Sequence, residues 1–126
     1  MNTKSVAELH AEHEEWLKKL DFYADDLSVL LNRLAEIASK NTSREILAQV
    51  EHFQNQFIVQ KENIDEIRHA IKDHEIYVEN RVTENPVDAD RHQLNDHPKM
   101  RDNFNGFEKN FNSLRHEFND FLSKTM

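Results

Sequence analysis

From Val6 to Ile37 the chain keeps one helical face occupied for five consecutive heptads. With Val6 at position a, the a positions are Val6, His13, Leu20, Leu27 and Leu34, and the d positions are Leu9, Trp16, Tyr23, Leu30 and Ile37. The e positions, His10, Leu17, Ala24, Leu31 and Ala38, widen the stripe beyond a two-stranded seam. A stripe of that width predicts a long helix over about Thr3 to Lys40, packed against more than one partner. The chain has one glycine and two prolines in 126 residues, so it has little turn material and must use a few long helices.

The second periodic segment spans about Ser43 to Arg81, with Val50, Phe57, Ile64, Ile71 and Val78 at a and Ile46, Phe53, Gln60, Ile67 and His74 at d. Between the two, "KNTSRE" supplies Asn41 as a C-cap and Thr42 or Ser43 as an N-cap, with Glu45 near the third helical position. "VTENPVDAD" breaks the pattern at Pro86. The third segment carries Met100, Phe104, Phe107, Phe111, Leu114, Phe118 and Phe121 at alternating spacings of four and three. Pro98 predicts a start for this helix near Asp96 or His97, where a missing N–H costs nothing. "DADRHQLND" is then either an ordered loop or a short separate helix near 88–96.

The fold class is all-α: one domain over 1–126, an antiparallel up-down bundle of three long helices, or four with the short one. The first two helices would each be on the order of 55 Å long. So narrow a rod buries little per residue, which admits a homodimer. Phe22, Val29, Ile58 and Val59 fall outside the main stripes near one height, either as an interface patch or as scattered surface apolars. Tyr23 and Gln60 share a level and predict a buried hydrogen bond that fixes the hairpin register.

Sixteen basic and 24 acidic residues give a net charge of −8, which disfavours nucleic acid or an anionic membrane surface as partner. Cysteine is absent, which removes disulfides, thiol chemistry and Cys-based zinc sites. With no apolar leader and no membrane-length apolar run, the expected location is the cytoplasm. No Gly-rich phosphate loop or Gly-x-Ser-x-Gly is present, so nothing points to an enzyme.

The eight histidines are the informative residues. With the first turn near Thr42, position i on the first helix faces roughly 84 − i on the second. His10 then faces His74, and His13 faces Ala70 and Ile71. The second connection brings His97 level with His74. Four histidines at a, d or e positions thus share one height between apolar layers. Neutral imidazoles in a dry layer need partners and protonated ones repel, whereas a divalent metal resolves both problems. The candidate ligands are His10, His13, His74 and His97, with Glu75 and Glu14 next, and the candidate ions are Zn, Fe or Cu. Asp96 stands beside His97, and Glu12, Asp73 and Glu66 further round. Haem held by two histidines is less favoured, because no Cys-x-x-Cys-His attachment signal exists.

The leading expectation is therefore metal binding, storage or sensing. The alternative is a cofactor-free helical interaction protein acting through a dimer face. Histidines on several helices of a small acidic bundle, His10, His74 and His97 among them, also resemble hemerythrin-like proteins, which implies oxygen or iron binding. The second segment lacks His-x-x-x-Glu, however, and no segment has His-x-x-x-His.

Overall fold

A computed structural model describes the backbone of residues 6–84 and 86–125, and the side chains of 7–76 and 98–125. It is a bundle of three helices: α1 (Val6–Lys40), α2 (Arg44–Glu84) and α3 (Pro86–Thr125).

The turn between α1 and α2 follows from its capping residues. The Asn41 side-chain amide donates to the Ile37 carbonyl at 2.8 Å, closing the last turn of α1. Among the described residues no non-glycine residue has positive φ, so this cap works through the side chain and not through a left-handed backbone. The Leu47 N–H donates to the Ser43 carbonyl at 2.9 Å, which makes Ser43 the N-cap residue just ahead of α2.

The third helix differs from expectation. Residues 88–96 form neither a loop nor a separate helix, because α3 is continuous from Pro86 and carries Pro98 in its interior. Pro86 takes the first helical position, where its missing N–H was an orphan anyway. Pro98 instead gives up one bond of the ladder. α2 runs to Glu84, past the expected end near Arg81.

The stripes are buried as their periodicity requires. Leu20, Phe57 and Phe118 are fully buried, and Phe104 and Phe111 are 1% exposed. Phe118 meets both Phe53 and Phe57 at ring separations of 5.2 Å. Each such ring contributes roughly 1.5–3 kcal/mol of burial. The α1 e positions Leu17, Ala24, Leu31 and Ala38 are half-buried at the edge of this core.

Polar pairs set the height of each helix. Late α2 meets early α1, through Glu75 with His10 and His13 and through Arg68 with Asp21 at 3.0 Å. Along α1 and α3 the partners rise together: Glu12 with Arg101 at 3.1 Å, Trp16 stacked on Phe104, and Asp26 with Arg115 at 2.5 Å.

The expected Tyr23–Gln60 bond is not formed. The Tyr23 hydroxyl donates to Glu108 Oε2 on α3 at 2.6 Å, while Gln60 is buried with its Oε1 unpartnered among the described residues. A carboxylate is the stronger acceptor, and the Asp21–Arg68 pair puts Tyr23 level with Glu66, more than a turn and a half from Gln60.

Of the four apolar residues expected near one height, Val59 does not share a face with Phe22 and Val29. Phe22 and Val29 lie one turn either side of Asp26, on the flank of α1 that meets Arg115 of α3. Val59 instead lines the groove between α2 and α3. No described helix is long and apolar enough to cross a membrane.

Candidate functional site

His13 is the centre of the histidine layer. It sits at an a position of α1 and is fully buried between Leu9 and Trp16, its ring centroid 5.4 Å from that of Trp16. The half-buried ring of His74, on α2, approaches it edge-on at 5.4 Å and 71°.

Glu75 joins the two helices here. Its Oε1 lies 2.5 Å from His13 Nδ1 and its Oε2 lies 2.6 Å from His10 Nδ1. A carboxylate only accepts, so both Nδ1 atoms carry hydrogen and donate. The i, i+3 spacing of His10 and His13 puts both imidazoles within reach of one carboxylate. Glu75 itself is about three-quarters buried, with a side-chain exposure of 27%.

His10 departs from expectation in one respect. Its side chain is 55% exposed, so it belongs to the rim of the layer and not to its dry interior. Position e lies off the a/d seam. Its second nitrogen, Nε2, faces Glu14 Oε1 at 3.2 Å. With carboxylates at both nitrogens the imidazolium form is favoured. The pKa is raised above 6.5, first by the hydrogen bond to Glu75 and then by the charge of Glu75, against an opposing effect of burial, with Glu14 adding a smaller upward push.

Of the six proposed ligands, the structure therefore brings His10, His13, His74, Glu75 and Glu14 together. The side chain of His97 lies outside the described residues, as do those of Asp96 and His92 and the apolar neighbours Val6, Val78 and Leu94. The further carboxylates are engaged elsewhere. Glu12 accepts from Arg101, Asp73 meets His69 at 3.1 Å on the outer face, and Glu66 lines the α2–α3 groove. Among the described residues, no three His, Asp or Glu side chains are arranged around a common point as a metal would need. The donors are paired with each other instead. The central role of Glu75 was marked in the sequence only by its e position beside His74. The Tyr23–Glu108 and Glu12–Arg101 pairs carried no signal in the hairpin rule, because that rule concerns α1 and α2 alone.

Comparison with known proteins adds no assignment: no family profile, no curated protein and no solved structure matches the chain.

Proposed function

We propose that this protein binds a divalent transition-metal ion at the His10–His13–His74–Glu75 layer. The observation that supports the reading is the pair of Nδ1 donors held at 2.5 and 2.6 Å from the two oxygens of one carboxylate. In the metal-free layer, protons fill the positions between each nitrogen and its oxygen. An ion that displaces them gains two imidazoles and a carboxylate from two helices, with His74 or His97 as the fourth ligand. Two or three nitrogens and one oxygen suit Zn, Fe or Cu. Four protein ligands would make the site a storage or structural one, and three would leave a position open for a small molecule. The acidic surface supports a reading in which nucleic acid is not a partner, and a cytoplasmic setting belongs to the same proposal. Zinc titrated calorimetrically into untagged, chelator-treated protein is expected to bind one ion per chain and to release protons. Absence of saturable binding, or equal binding by Glu75→Gln, contradicts the reading.

A second reading is favoured by the apolar surface. Phe22 and Val29, on one flank of α1, are 60% and 51% exposed, which suits a helical interaction protein that self-associates. Sedimentation at several concentrations tests it, and a monomer throughout counts against it.

A further inference from the structure

Among the described residues, the core holds one indole and one phenol. Trp16 and Tyr23 are 6% and 7% exposed and stand on the same stripe of α1. Two helical turns separate them, about 10 Å along the axis. Rings of α3 fill the space between. Trp16 stacks on Phe104 at 5.4 Å and 19°, Phe104 meets Phe107 at 6.3 Å, and Phe107 meets Tyr23 edge-on at 5.4 Å. The two side chains that give up an electron most readily thus stand at the ends of one continuous run of rings.

Each end carries a further feature. The Tyr23 hydroxyl donates to Glu108 Oε2 at 2.6 Å, so the phenol has a base already in place. A phenylalanine would fill this position without a polar group to satisfy, as Phe107 and Phe111 do beside it. Burial, then the bond to Glu108, push the Tyr23 pKa up to about 12, so the proton stays on the ring at rest. At the other end, Trp16 lines a hollow of about 40 Å³ whose walls include the exposed Ala70 and Asn103. A water molecule needs only about 10–15 Å³ of such space, so a molecule of two or three heavy atoms fits against the indole.

We propose that Trp16 and Tyr23 form a one-electron relay through which this protein reduces a small inorganic radical that enters the hollow. The radical takes an electron from the Trp16 indole and leaves as its anion. The Tyr23 phenol then returns an electron to the Trp16 radical cation across Phe104 and Phe107. As it does so its O–H bond breaks, and the proton passes to Glu108 Oε2. The products are the reduced anion, intact Trp16, a neutral Tyr23 phenoxyl radical and protonated Glu108. Glu108 sets the direction, because a phenol that loses an electron becomes a strong acid and a base at hydrogen-bond distance takes its proton at once. The relay does not depend on an ion at the histidine layer.

The test is pulse radiolysis of the full, chelator-treated chain with azidyl radical as the oxidant, followed by transient absorption. A Tyr77→Phe background leaves Tyr23 as the one tyrosine. The expected result is an indole radical that decays as a phenoxyl radical rises, and does so more slowly in heavy water. Glu108→Gln still offers the hydroxyl an oxygen but is a far weaker base, and the transfer should slow on the order of a hundredfold. Tyr23→Phe should leave a long-lived indole radical, and Trp16→Phe should form little phenoxyl radical, with circular dichroism showing the helices intact in each. Equal phenoxyl yield without Trp16, or an indole radical that decays alike with and without Tyr23, overturns the proposal. A transfer rate unchanged both in Glu108→Gln and in heavy water overturns it as well.

Discussion

Replacing Glu75 with glutamine removes one of the two acceptor oxygens that hold His10 and His13 and puts an amide N–H₂ in its place. Rotation of the amide saves one bond and sets two donors against each other in the other. The bond to His13 decides the magnitude, because that side chain is 1% exposed, while His10 is exposed and its ion pair is screened by solvent. Leaving a buried donor without its charged acceptor costs about 2 kcal/mol. In a chain of this length that lowers Tm by roughly 6–10 °C. The assay is differential scanning calorimetry of chelator-treated protein, with Glu15→Gln as control, since Glu15 makes only an exposed 3.8 Å pair with Lys19. The pH dependence has a definite sign. His10 titrates above 6.5 in the folded chain, so its share of stability is complete below 6.5 and is lost as pH rises through the raised value. The gap between wild type and variant should therefore narrow from pH 6 to pH 8. A Glu75→Gln Tm within about 1 °C of wild type, or a gap that widens with pH, refutes the reasoning.

Tyr23 gives a second pH signature: burial, reinforced by its bond to Glu108, pushes its pKa up to about 12 from 10.0. Its hydroxyl stabilises the fold below pH 10 and loses about 3 kcal/mol between pH 10 and 12, so Tyr23→Phe should flatten the alkaline arm of urea-unfolding stability, and an unchanged arm rejects the assignment. Phe118→Ala, at a fully buried ring touching Phe53, Phe57 and Phe121, should cost about 3–5 kcal/mol. Phe22→Ala, at a ring 60% exposed, should stay within about 0.5 kcal/mol, and equal effects at the two sites would rule out this core. Pro98→Ala restores a ladder bond in the interior of α3 and should stabilise by about 1–3 kcal/mol, whereas a destabilised variant would mean that the proline is needed where it stands.

What could be read from the sequence was whatever local periodicity and capping decide. The burial of Leu20, Leu27, Phe57 and Phe118 follows from spacing alone, and Asn41 and Ser43 act at the turn they mark. The start of α3 was not readable, because the rule that places proline in a first helical turn applies equally to Pro86 and Pro98. The side to which a tyrosine or arginine reaches was not readable either. Tyr23 has Gln60 and Glu108 as rival partners on different helices, and the pairing rule for α1 and α2 does not include the second. The histidine layer lies between these cases. Position a buried His13, as a dry core position should, but position e, off the a/d seam, left His10 exposed. Glu75 became the bridge because its carboxylate reaches the helical turn that carries both histidines and offers one oxygen to each.

The central claim is that this layer takes up an ion. Equilibrium dialysis of untagged protein against zinc, followed by elemental analysis, tests it most directly when run beside the double variant His13→Ala, His74→Ala. The account predicts one zinc per chain in wild type and only a trace in the variant, with both still helical by circular dichroism. Substoichiometric zinc in wild type, or the same zinc content in both proteins, would contradict it.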